Sequence, residues 1–395
     1  MKVEPAELRD DHAAQRSTMR RTVTVALLQR YVPHYRLSLF EKLHRESQFN
    51  WEFFFDDHGG IDWSGLRPDS YGDLRMHSIR NRRLFGGLSY QTGFKIRRRN
   101  HAAIMLDLGW TLASNPKHLL EARLRGVRRI GWSKGIPQIG RRKSSLRLAY
   151  ERFVISQCDA LVAYGKMSQE YFRQLGYPLD RIFVAQNTID TARIIREREH
   201  ATQDGQELRE RLGLRNRTVI GYLGKVAPFK QVGRIVEGFN LARKSGMDAV
   251  LLVAGNGSAR PGIEAQIAAS DFKDDIRFVA DVPVGTEAGY FQLFDLYVSF
   301  SQGGLGILEA MAHGRAVLST PERYPETELL ANNETALVSD DMSVEAFARR
   351  MVEAIRDPAL RAEVGRGAEA RVAREATQEL MVEAIDRAVE RALMD

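Results

Sequence analysis

Cysteine is almost missing from this chain: Cys158 is the only one in 395 residues, which excludes an intramolecular disulfide. Histidine and cysteine nowhere adopt zinc-ligand spacing, and H-E-x-x-H, the Walker A loop and D-x-D are all absent, so no dedicated metal site is expected. No window approaches the ~18 uninterrupted apolar residues of a membrane span. The first twenty residues carry Glu4, Glu7, Asp10 and Asp11 with Arg9 and Arg16 where a signal peptide would be apolar. A cytoplasmic location and a mobile tail over residues 1–20 are therefore expected. Apolar residues are not scarce: they make up 44%, against 28% charged, which excludes a chain disordered throughout.

Positive charge is unevenly placed. Between Arg75 and Arg152 there are 19 Lys/Arg and three acids (Asp107, Glu121 and Glu151), a net +16, whereas the whole chain is +7. Such a window points to an anionic partner for the first half: phosphate groups, an anionic bilayer face or nucleic acid. Nucleic acid is disfavoured, because the surrounding aromatic residues form no RNA- or DNA-binding motif.

Short apolar runs alternate with helical spacing twice along the chain. In the first half, strands are expected over 21–29, 50–55, 101–106, 127–132 and 160–163, with helices over 144–157 and 166–175. In the second, strands are expected over 218–223, 249–254, 276–279, 296–300, 316–319 and 336–338, followed by helix from Val344 onward. This alternation predicts an α/β class with two doubly wound Rossmann-like domains. The charged stretch 196–212 separates domains 21–195 and 213–375, and 376–395 reads as a C-terminal helix that could pack back on the first domain. Facing domains of this kind place ligands in a cleft at the carboxyl ends of their strands.

Two short patterns compete for chemistry and lose. Gly255-Asn-Gly257 follows a strand like a dinucleotide fingerprint, but Arg260 and Pro261 stand where the third glycine and the helix belong; a phosphate or sugar turn fits better. Gly131-Trp-Ser-Lys-Gly135 matches a nucleophile elbow, yet Pro137 and Gly140 interrupt the helix it needs, and the only later histidines are His200 and His313. A third constellation is stronger. Gly224-Lys225 ends one strand and Lys230 follows five residues later, two ammonium groups able to clamp a diphosphate. Another strand runs through Ser301, Gln302, Gly303, Gly304, Leu305 and Gly306 into a helix carrying Glu309. Glycines there let backbone N–H groups approach an anion at the helix's positive end, and an acid in the first turns suits a ribose diol.

In order along 219–338, these pieces resemble the donor-binding domain of the family-4 glycosyltransferases, a retaining group with the GT-B fold. Gly221-Tyr-Leu-Gly-Lys225 with Lys230, Phe294-Asp-Leu-Tyr-Val-Ser-Phe-Ser301 and Glu309-Ala-Met-Ala-His-Gly314 carry the resemblance. It implies that Lys225, Lys230 and Glu309 act on the leaving nucleotide. Gly224, Ser301, Gln302, Gly303, Gly304, Leu305, Gly306 and Glu328 would then contact the donor. The implied activity is a metal- and cofactor-independent hexosyltransferase of cell-surface glycan assembly, taking a nucleotide sugar as substrate. Its acceptor would be a glycan or lipid-linked molecule met by the 21–195 domain. A non-catalytic scaffold and a sugar-nucleotide epimerase on the same fold are the alternatives. Acceptor-side candidates are His34 and Arg36, in a Tyr31–Arg36 segment similar to polysaccharide-assembly members, and Lys134, which either faces the acceptor or is solvated. In the donor-binding half four positions depart from the pattern: Ser301 replaces the first acid of E-x7-E, Lys225 an Arg, Gln231 a Gly and Ala316 a Pro; in the first half no glycine pair follows the first strand, and Lys134 stands where many relatives have His. Residues 141–153 place Leu146, Leu148, Tyr150 and Phe153 among cations, as in a helix lying on anionic lipid at the inner membrane face.

Overall fold

The computed structural model describes residues 23–56, 72–135, 144–214, 216–283 and 285–394. The chain divides into two units: the first comprises residues up to Gln186 together with Gln378 onward, the second Asn187–Thr377. The expected tail over 1–20 lies outside the described residues.

The first unit is built on β1 (Thr24–Leu28), β2 (Asn50–Phe55), β3 (Met76–Ser78), β6 (Ala103–Asp107), β7 (Arg128–Ser133), β8 (Ala160–Ala163) and β9 (Ile182–Val184). They form one sheet in the order β3-β2-β1-β6-β7-β8-β9, every pair parallel. Strand β8 is buried at every residue, as a strand covered on both faces must be. One face carries α1 (His34–Glu46) through Leu39, Phe40 and Leu43; the other carries α2 (Asn115–Leu124), α3 (Ser145–Ser156) and α4 (Lys166–Gln174). A separate antiparallel hairpin, β4 (Arg80–Arg83) and β5 (Ser89–Thr92), is inserted between β3 and β6.

The second unit repeats the plan. Strands β10 (Val219–Leu223), β11 (Val250–Ala254), β12 (Ile276–Val279), β13 (Leu296–Ser299), β14 (Val317–Ser319) and β15 (Leu337–Val338) are ordered β12-β11-β10-β13-β14-β15, all parallel. Both β10 and β11 are buried throughout. Helices α5 (Thr191–Arg196) and α6 (Arg198–Arg211) precede the sheet. Along it run α7 (Val232–Lys244), α8 (Arg260–Ala268), α9 (Glu287–Leu293) and α10 (Leu305–Ala312), then α11 (Val344–Arg356) and α12 (Pro358–Glu375).

The expected connection at 196–212 is instead α6, a helix of the second unit. It has few large apolar residues because it needs few: Ala201 and Leu208 are buried, and Gly205 closes on α9, where a Cβ would sit 3.0 Å from the Gly289 carbonyl oxygen. The boundary falls at Gln186/Asn187. The last helix, α13 (Gln378–Met394), belongs to the first unit, where Met381, Ile385 and Val389 join the core beside α1. Polar contacts fix its register. Ser47 Oγ (2.6 Å) and Gln48 N–H (3.0 Å) both donate to the Asp386 carboxylate, and Gln378 Nε2 donates to Ser38 Oγ at 2.8 Å.

Candidate functional site

Strand order reverses between β10 and β13, so the loops leaving their carboxyl ends flank the crevice where doubly wound sheets take ligands. The loop after β10 carries Gly224, exposed Lys225 and, in the 3-10 turn Pro228–Lys230, Lys230. Its backbone is anchored from below: Tyr222 Oη donates to the Lys225 carbonyl at 2.9 Å, and Val226 N–H to the Asn256 carbonyl at 2.9 Å. The Gly255–Gly257 turn, expected to meet phosphate or sugar, supports this loop; a Cβ on Gly255 would lie 2.0 Å from the Gly224 carbonyl oxygen.

Lys230 joins the two loops. Its ammonium donates to the Gln302 carbonyl and, at 3.2 Å, to the Gly303 carbonyl, directly ahead of α10. Gly304 caps that helix at φ 61°, ψ −149°, a conformation only glycine adopts at low cost. The N–H groups at Leu305 and Gly306 begin the helix, so a cation and a helix N-terminus stand side by side. Gln231, where the resemblance expects glycine, takes φ 51° and ψ 38°, a left-handed geometry that costs a non-glycine residue about 1 kcal/mol.

The acids divide among different tasks. Glu309 is half-buried on α10; burial, reinforced by Glu287, pushes its carboxyl up to about 8 while Arg193 pulls it down. Glu328 is half-buried in the 3-10 turn Pro325–Leu329. Its neighbour Glu326 is the buried acid of that turn, accepting from Asn187 Nδ2 at 3.1 Å. Ser301 is buried, and its Oγ donates to Glu322 Oε2 at 2.8 Å. Neither Glu322 nor Glu326 was legible as a site residue. Their only signal was position: both lie just past the carboxyl end of β14, beside the crevice.

The first unit has its own crevice between β1 and β6. A cavity of about 300 Å³ opens there, lined by Arg30, Tyr31, Tyr35, Arg36, Asp107 and Tyr164 among others. Arg36 is buried, its guanidinium 4.5 Å from the Trp132 ring, and its Nη2 donates to Tyr164 Oη at 3.1 Å. Burial holds the Asp107 carboxyl above its ordinary range, opposed by the Gly109 N–H, 2.9 Å away, and by Arg30 and Arg36. Lys134 lines a second cavity of about 170 Å³ with Ser133, Trp110 and Arg147, so Arg36 and Lys134 face different hollows. His34 opens α1, and its side chain lies outside the described residues. As for the elbow, Ser133 Oγ only accepts from Gly135 N–H at 3.1 Å, and His313 is buried and stacked on Phe291 with its pKa lowered by burial to about 3. Among the described residues no group of three His, Cys, Asp or Glu could hold a metal ion.

Residues 204–371 match the family model for glycosyl transferases group 1. That match lies wholly within the second unit. Over 158 residues the chain is 27% identical to alpha-D-kanosaminyltransferase of Streptomyces kanamyceticus, a match covering 39% of this chain and 41% of that protein. The chain thus spans about two-fifths of the length of that curated relative. Among solved structures, Anabaena HepE in complex with UDP gives a TM-score of 0.72 at 14% identity, covering 93% of this chain and 99% of HepE. A glycosyltransferase from Rickettsia africae gives 0.73 at 13%, covering 94% and 98%. Likeness at that identity is one of fold, and the fold is GT-B. Within the matched segment, a nearby cation and a helix terminus can stabilise an anion that gains charge as a bond to it breaks.

Proposed function

We propose that the chain is a glycosyltransferase that moves a hexose from a nucleotide-sugar donor to a glycan or lipid-linked acceptor with retention of configuration. The single observation carrying this is Lys230 bound to the Gln302 and Gly303 carbonyls at the opening of α10, inside the family-matched segment. In the proposed reaction, Lys230 turns from those carbonyls to the diphosphate, with Lys225 on the same loop. The Leu305 and Gly306 N–H groups take phosphate oxygens, and Glu309 takes the ribose. Charge that grows on the leaving diphosphate then meets ammonium groups and a helix dipole, with no metal or cofactor required. UDP is the first base to try, since HepE was solved with UDP and with UDP-glucose.

The acceptor side of this proposal is the Arg36–Asp107 cavity, whose arginines suit a phosphate-bearing or otherwise acidic acceptor. Contact with an anionic membrane face belongs to it too, though not through all four of the large apolar residues of 141–153. Leu146 and Phe153 of α3 are exposed, 82% and 53%, but Leu148 and Tyr150 turn inward, Tyr150 Oη donating to the Leu112 carbonyl at 3.3 Å. Exposed Leu120 and Leu124 on α2 and Phe85 at the tip of the arginine-rich hairpin add apolar surface among cations. Among the described residues no helix is long and apolar enough to cross a membrane.

A thermal-shift screen of nucleoside diphosphates and nucleotide sugars, followed by a hydrolysis assay on the best donor, tests the donor half. Stabilisation with slow hydrolysis is expected; binding without hydrolysis or transfer favours the scaffold, and a changed sugar with no acceptor present favours the epimerase. Co-sedimentation at low salt should favour anionic over neutral vesicles, and equal binding to both speaks against the membrane role.

A further inference from the structure

Strands β13 and β14 are adjacent and parallel, with Ser299 paired to Ser319, so their carboxyl ends stop at one level. Two residues past one end stands Ser301; three past the other stands Glu322. Both are buried, and Ser301 Oγ donates to Glu322 Oε2 at 2.8 Å. The surrounding backbone is pinned: Ser299 Oγ donates to the Ser301 carbonyl (2.8 Å), Thr320 Oγ1 to the Phe300 carbonyl (2.6 Å) and Thr327 Oγ1 to the Glu322 carbonyl (2.9 Å). Ser301 is followed at once by Gln302 and Gly303, the carbonyls that hold Lys230. An acid is thus carried to the very place where the sequence has a hydroxyl, next to the cation of the site.

We propose that Glu322 is the residue that binds the hydroxyls of the transferred sugar, reaching from β14 into the position that Ser301 occupies on β13. This rests on reading the second unit as a nucleotide-sugar site. A carboxylate offers about four acceptor positions, more than one serine hydroxyl fills, and charge-assisted bonds to hydroxyls are short and directional. Burial keeps water from competing for them. Ser301 then orients the acid, and Glu322 decides which sugars are accepted.

The test compares UDP-glucose with UDP, or the tightest nucleotide sugar from the screen with its parent diphosphate, by calorimetry. Glu322→Gln should weaken the nucleotide sugar by about tenfold or more and leave the diphosphate within about twofold, which also reports a folded site. Ser301→Glu alone sets two carboxylates in contact and should weaken the sugar as well. Combining Ser301→Glu with Glu322→Ser moves the acid across the hydrogen bond and should recover most of the loss. Equal loss for both ligands, no loss for either, or no recovery in the exchanged pair overturns the assignment while leaving the nucleotide site standing. A wild-type chain that binds no nucleoside diphosphate overturns the nucleotide-sugar reading itself, and this role with it.

Discussion

The two units share one frame and spend it differently. Each sheet runs outward in both directions from its first strand, so each has a reversal point: β1 against β6 in one unit, β10 against β13 in the other. At the first, the strand ends and the start of α1 carry large side chains, Arg30, Arg36, Tyr164 and Asp107, around a cavity. At the second they carry glycines, lysines and a helix terminus, so backbone groups stand beside the Lys230 ammonium. The lesson is that the frame sets where a ligand goes, while the residues just past the strand ends set which ligand. A backbone-lined site suits a diphosphate, whose shape is constant; a site of side chains suits a partner that varies.

That contrast can be broken most directly at Lys230. Lys230→Ala should lower transfer more than ~10-fold, because one charged contact to the leaving group in a dry site is worth a few kcal/mol. Near-normal turnover in a folded variant would remove the diphosphate from the second unit. A smaller effect is expected in the first unit. Asp386→Ala strips the buried Ser47 hydroxyl and the Gln48 N–H of their acceptor and should cost about 2 kcal/mol in urea unfolding. Nucleotide affinity, proposed for the other unit, should stay within twofold; a large loss there would mean the units are not separable in this way. A third prediction concerns the pH dependence set by Glu309. Its folded carboxyl titrates near 8 and the unfolded one near 4.5, so the fold holds an extra proton between those values. Stability is therefore full below about pH 4.5 and declines as pH rises through about 8. Glu309→Gln should flatten that decline in melting temperature, and an unchanged slope would contradict a half-buried acid held neutral.

All six strands of the second unit were legible to within two residues, because each is a short apolar run between glycines or charges. Three kinds of element were not. Strands β3 and β9 are three-residue edges, too short for any period. The β4–β5 hairpin reads Arg-Asn-Arg-Arg on one strand and has no apolar alternation, since it lies outside the buried sheet. Helix α6 looked like a linker because close glycine contact with α9 replaces the apolar stripe. At the site, the spacing of Lys225 and Lys230 and the glycines before α10 were readable because one loop holds each group. The meeting of Ser301 with Glu322 was not, because pairing of neighbouring strand ends brings together residues 21 apart.

The chain leaves the first unit at Gln186 and returns to it at Gln378. During synthesis the second unit is therefore whole before the first, whose sheet waits with the area beside α1 uncovered until α13 is made. A chain cut short before Gln378 would hold an intact second unit and, beside α1, an exposed apolar area on the sheet of the first. Such a product would be prone to aggregate through its first unit.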